Sequence, residues 1–203
     1  MNRIHIYRQL NVIYPEKQVF FRLGGNLHKT DIDAEQKLFF DTHAAKAFAL
    51  CQPQGRWMIK RVSSNKDGVI TFDDGNILQG KKFADSVSGA AFIWFAAVTV
   101  GKEVVDARDA CTDIAAAAVY DAVAGEVADA AMDMVQKMAS AELMRQRFML
   151  SKSRYSPGYG DMSLDCQATF FELLDMQDMG VKLTDNCFMI PEKSVTALAA
   201  VCV

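Results

Sequence analysis

Arg154, Tyr155, Ser156, Pro157, Gly158 and Tyr159 place a guanidinium, a hydroxyl, a rigid turn, an accessible main chain and aromatic rings within six consecutive residues. Chemistry of that kind is recognition rather than bond-making. Arginine presents a two-pronged fork to a carboxylate, glycine admits a ligand to the backbone, and tyrosine offers a face to a base or a cation. Arg and Tyr also pin loops, so the same residues fit a purely structural turn. Elsewhere the usual catalytic signatures are missing. His5, His28 and His43 are far apart and form neither H-E-x-x-H nor a His/Cys ligand pattern. No G-x-G-x-x-G, G-x-x-x-x-G-K-[ST] or G-x-S-x-G occurs, and the LGG at 23–25 is too short for a phosphate loop.

The segment DTHAAK, Asp41 to Lys46, shares its Asp and His with the D-x-H-x-x-G motif that supplies a cobalt ligand in some corrinoid proteins. Lys46 replaces the glycine and the segment sits inside a helical pattern, so His43 is not read as a ligand. Cys51, Cys111, Cys166, Cys187 and Cys202 are odd in number and include no C-x-x-C pair, against a disulfide framework or a structural zinc site. They read as small buried hydrophobes, the alternative being reactive thiols. Asp113, Asp121, Asp129 and Asp133 are spaced four or eight apart, which puts much of one helix's charge on one face. A solvated acidic face is the preferred reading of these charges, with a site as the alternative.

Elements must hold the loop at 154–159 in place. Thr30 is a candidate N-cap for a helix through Leu38, Thr42, Ala45 and Ala49 that ends near Pro53. Trp57 to Val62 and Val69 to Phe72 read as strands with KDG and DDG turns. Ala91 to Val100 is a strand buried on both faces, placed at the sheet centre. From Val105 to Leu150 an alanine-rich, proline-free stretch predicts one long helix, with Gly125 and the ASAE near Ser140 as places to bend. LDCQATFFELLDMQDM predicts a further helix stopped by Gly180, and the tail predicts two strands around Pro191. The expected architecture is α+β: a mainly antiparallel twisted sheet with long helices packed on it, in one domain spanning 1–203.

Composition narrows the partners. Hydrophobic residues make up 51% and charged residues 23%, which is globular rather than disordered or fibrous. Twenty-two basic against 25 acidic residues give a net charge of −3, with no Lys/Arg block, so no nucleic-acid partner is expected. The longest apolar run, Gly89 to Val100, is shorter than the ~20 residues a spanning helix needs, and the N-terminus lacks a signal-peptide core. A cytoplasmic protein with no membrane partner is the expectation.

Taken in order, several pieces resemble the activation domain of cobalamin-dependent methionine synthase, in a short free-standing form. They are FFRLGG at 20–25, the CQP closing the first helix, AAVTVG at 96–101, DAVAGEVADAAMD at 121–133, RYSPGYGD at 154–161 with Gln167 beyond it, and GVKLTDNCFMIPEKSVTAL. R-x-x-x-G-Y followed by the L-T…P-x-x-S-V segment is the more specific part. The resemblance implies a domain that binds S-adenosylmethionine and supports reductive methylation of Co(II) cobalamin. It further implies a corrinoid-binding methionine synthase or methyltransferase partner that carries the cobalamin, and a flavodoxin-like or ferredoxin-like electron donor.

Carried over by residue, Arg154 would hold the methionine carboxylate, the backbone of Ser156 to Gly158 would contact the ligand with Tyr155 beside it, and Tyr159 would line the adenosine. Asp129 or Asp133 would face the sulfonium or the amino group. A W-x-x-P-F-like segment and a C-terminal extension that complete the groove in the long enzymes find no counterpart here, so the expectation is either a low affinity for S-adenosylmethionine or a groove completed by a partner. Two other roles fit the same residues: a non-catalytic module capping a corrinoid protein, and a methyltransferase for another acceptor.

Overall fold

The computed structural model describes residues 3–25 and 32–203. In chain order the elements are β1 (His5–Tyr7), α1 (Glu16–Arg22), α2 (Ala34–Leu50), β2 (Gln54–Lys66), β3 (Val69–Phe72), β4 (Ile77–Gln79), α3 (Lys81–Ser86) and β5 (Phe92–Thr99). There follow α4 (Glu103–Asp109), α5 (Ile114–Arg145), β6 (Met149–Leu150), α6 (Gln167–Leu173), β7 (Lys182–Leu183), β8 (Met189–Ile190) and β9 (Ser194–Cys202). The main sheet has the order β4-β3-β2-β5-β9-β6, with β1 beside the start of β2 and β7–β8 a separate ribbon. Every pairing is antiparallel. This is the α+β architecture that the sequence predicts.

The central strand explains the layering. All eight residues of β5 are buried, so both faces of the sheet must be covered. Successive side chains point to opposite faces: Phe92, Trp94, Ala96 and Val98 join Ala131, Met132 and Val135 of α5, whereas Ile93, Phe95 and Ala97 join Phe83 of α3 and Phe170 of α6. β9 alternates in the same way, with Ala197, Ala199 and Val201 toward α5 and Leu198 toward α6. Small residues let α5 lie close to the strands. Gly55 of β2 is the tightest point, because a Cβ there would come within 2.5 Å of Val135 Cγ2.

Three helix boundaries depart from the sequence reading. The proposed cap at Thr30 lies outside the described residues; Asp33 caps α2, accepting from the Gln36 N–H at 2.8 Å while the Gln36 side chain accepts from the Asp33 N–H. The expected helix from Val105 to Leu150 is two, α4 and α5, because the Asp113 carboxylate accepts from Ala115 and Ala116 N–H and starts a new helix. Gly125 and Ser140 do not break it. Instead the Arg22 guanidinium lies over Gly125, 3.1 Å from where a Cβ would stand. The expected helix through Met179 stops after Leu173 because Asp175 turns left-handed at φ 49°, and the buried Arg56 donates to the Leu174 and Asp175 carbonyls at 3.1 and 2.7 Å.

Candidate ligand-binding site

The segment after α5 forms the sheet's outer edge along β9, and its register changes under the predicted loop. Met149 pairs with Cys202, Leu150 with Val201, and Ser151 N–H donates to Ala200 O. The next contact is Tyr155 with Leu198, which exchange hydrogen bonds of 2.8 and 2.7 Å. Four residues on the edge therefore span two on β9, and the surplus bulges outward. Bulges of this kind re-aim side chains beside functional sites. Arg154 stands in the bulge.

Alternation then separates the predicted residues. Tyr155 turns to the α6 side of the sheet, its ring 5.4 Å from that of Phe83, and holds the segment down. Arg154 faces α5 and donates through Nη1 to Asp133 at 2.6 Å and to the Gln136 side chain at 3.0 Å. Ser156 donates to Thr196 O at 2.8 Å, behind which buried Thr196 donates to Gln167 Oε1 at 2.7 Å. Pro157 is buried. Gly158, at φ 86°, donates its N–H to Met162 O, and Tyr159 donates its own to Ser156 O, so both amides serve the loop itself. The Tyr159 ring stands 71% exposed. Thus the structure joins Arg154 to Asp133 and leaves Tyr155, Ser156 and Pro157 as anchors.

The acidic residues of α5 divide by task. Asp113 is the helix cap, and Asp121 pairs with Arg108 at 2.8 Å and Lys193 at 2.7 Å. Only Asp129 and Asp133 face the bulge, in a row Glu126, Asp129, Asp133, Gln136 whose steps of three, four and three residues keep one helical face. Arg22 of α1 closes the other end, 2.5 Å from Glu126 and 3.3 Å from Asp129. Burial first, and the Glu126 charge second, push the Asp129 carboxyl above the usual carboxylate range, against the pull of Arg22 and Arg154. The ionised form is therefore disfavoured by the fold, and stability is lost as pH rises through the range where the free side chain ionises. Perturbed carboxylates cluster at functional sites and also occur in structural ion-pair networks.

Beside Arg154 lies a cavity of about 340 Å³ lined by Asp133, Gln136, Lys137, Ser140 and the edge residues Leu150 to Lys152. The sequence reading missed Gln136, Glu126 and Arg22. The helical spacing from 126 to 136 was the available signal for the first two, and nothing in the sequence ties Arg22 to α5.

Other candidates lead away from chemistry. Burial pushes the Cys51 thiol up to about 12 and raises that of Cys166, which leaves both as thiols at neutral pH. His43 packs against Phe39 and Tyr120, and His28 lies outside the described residues. Among the described residues no group of three or more His, Cys, Asp or Glu converges as a metal site, and no helix is long and apolar enough to cross a membrane.

Among solved structures, the chain is similar to the crystal structure of the MetH reactivation domain bound to AdoHcy, with a TM-score of 0.68 and 18% identity over 96% of this chain and 79% of that one. The fold is that of a reactivation domain. The family model described as the vitamin B12 dependent methionine synthase, activation domain, matches residues 77–201, which include α5, the bulge and the 154–159 loop. The chain belongs to that family. None of the curated proteins matches.

Proposed function

We propose that this chain binds S-adenosylmethionine between α5 and the 151–159 segment, and serves as reactivation partner of a cobalamin-dependent methionine synthase or related corrinoid methyltransferase. The observation that carries this reading is Arg154, turned by the bulge toward the acidic row of α5 in a chain of this family. Arg22 and Arg154 face the three carboxylates Glu126, Asp129 and Asp133, and Lys137 and Lys152 line the adjoining cavity, so the site presents both signs of charge. A ligand with a carboxylate, an ammonium and a sulfonium also carries both signs and pairs each group with its opposite. Arg154 takes the carboxylate as a charge-assisted pair, Asp133 turns from Arg154 to the ammonium, and Asp129 faces the sulfonium. Tyr159 offers its exposed ring to the adenine. The solved relative's complex with AdoHcy, the demethylated form of the same molecule, supports the choice of ligand class.

When bound, the sulfonium would supply its methyl group to the Co(I) corrinoid of the partner protein, formed from Co(II) by one electron from a flavodoxin-like or ferredoxin-like donor, with S-adenosylhomocysteine leaving as the neutral thioether. No general acid or base is needed, so the chain's task is to bind and orient. A Co(II) corrinoid protein, a reductant, S-adenosylmethionine and this chain should together yield methyl-corrinoid, and omission of either the chain or the sulfonium should abolish it. Methylation that proceeds equally without the chain contradicts the proposal. A second reading, a non-catalytic module capping a corrinoid protein, is favoured by the closure of Arg154 on Asp133 within the chain. It predicts complex formation with no sulfonium-dependent methylation.

Acidification provides a further test. Because the Asp129 carboxyl is raised, it gains its proton at a higher pH than the ~4 of an ordinary carboxylate. Affinity for S-adenosylmethionine should accordingly fall on acidification from above that value, and Asp129→Asn should bind more weakly at neutral pH and lose that acid limb. An identical acid limb in both proteins, measured by titration calorimetry, contradicts the assignment of Asp129.

A further inference from the structure

We infer that Gln136, half-buried at the end of the polar row of α5, is a positioning residue that aims Arg154; this rests on the reading of the groove given above. A bulge has a cost that must be met locally. Residues lifted off a strand lose ladder partners, and a main-chain carbonyl without a donor is unfavourable wherever water is excluded. Here the Gln136 amide nitrogen donates to the partly buried Ser151 O at 2.8 Å and, more weakly, to the exposed Lys152 O at 3.3 Å, the two carbonyls at the base of the bulge, so the Ser151 carbonyl is the one that needs the donor. The Ser151 hydroxyl accepts the Ser153 N–H at 3.1 Å, which closes the rest of the turn. The other end of the same amide accepts from Arg154 Nη1 at 3.0 Å.

One side chain thus fixes both the backbone from which Arg154 projects and the guanidinium itself. Only an amide of this length does both. Glutamate has no donor for the two carbonyls, asparagine is one carbon short, and methionine fills the space with neither function. The polarity also fixes the amide's orientation, since the reverse would set oxygen against the two carbonyls and nitrogen against a cation. Asp133 does not substitute for it, because a carboxylate can turn away with Arg154 or exchange it for a ligand ammonium, whereas the Gln136 bonds to the main chain involve neither Asp133 nor Arg154.

The test compares two ligands in the full chain. Gln136→Met, at a helix position that tolerates methionine, should weaken S-adenosylmethionine by about tenfold while leaving its decarboxylated analogue, which has nothing for Arg154 to grip, within about twofold. Gln136→Glu, which removes the donor and adds a charge competing for Arg154, should lose at least as much. Equal loss for both ligands, or no loss with either variant while Arg154→Ala still weakens binding, overturns the role of Gln136 and leaves the groove standing. If Arg154→Ala binds S-adenosylmethionine as the unaltered chain does, the groove assignment fails and the role of Gln136 fails with it.

Discussion

Replacing Arg154 by alanine should lower affinity for S-adenosylmethionine by about thirtyfold, corresponding to roughly 2 kcal/mol for the loss of a charged hydrogen-bonding partner. The fold should hardly notice. Arg154 and Asp133 form a partly exposed ion pair, with side-chain exposures of 28% and 57%, and such pairs contribute under about 1 kcal/mol. Calorimetric titration beside a melting curve separates the two effects. Arg154→Lys should recover only part of the affinity, because an ammonium offers a point charge where the carboxylate requires a planar fork. Unchanged affinity in Arg154→Ala would remove the carboxylate contact from the account.

Gly55→Val should have the largest effect on stability, about 3 kcal/mol, equivalent to a drop in Tm of roughly 10 °C. Strand propensity alone predicts the opposite sign, since valine favours strands and glycine does not. Packing decides the matter. The first carbon of any side chain at Gly55 meets Val135 Cγ2 at 2.5 Å and Leu10 Cδ1 at 3.2 Å, so either the stiff Val135 side chain leaves its packing or α5 moves off the sheet. A movement of α5 would carry Asp133 and Gln136 from their places opposite the bulge, so binding that weakens along with stability would show that the helix, and not the Val135 side chain alone, gives way. Val135→Ala opens the space and should cost less in the Gly55→Val background than alone. A strictly additive pair, or a stabilised Gly55→Val, would show that α5 is not held by this contact.

Parts of the molecule governed by local pattern could be read directly. The apolar run at Ala91 to Val100 marks a strand covered on both sides, and β5 is buried throughout. The alanine-rich stretch marks a long helix, and the R-x-x-x-G-Y residues mark the segment that carries Arg154. What depended on distant partners could not be read. Asp113 looked like one more charge on a face until its carboxylate is seen capping α5. The break after Leu173 is made by Arg56, 118 residues earlier than the first carbonyl it binds, so no local signal announces it. The bulge is a mismatch of register between two segments whose pairing spans more than 40 residues. With it went Gln136, whose partners are backbone atoms that the sequence does not distinguish. Asp129 and Asp133 were legible as a pair on one helix face, but their division of labour follows from Arg22 and Arg154 lying at opposite ends of the row.

The groove is tested most directly by a crystal structure of this chain grown with S-adenosylmethionine. The ligand carboxylate should lie within hydrogen-bonding distance of the Arg154 guanidinium, with Asp133 turned to the amino group and Gln136 still on the Ser151 carbonyl. A ligand bound elsewhere, with Arg154 retained by Asp133, would contradict it.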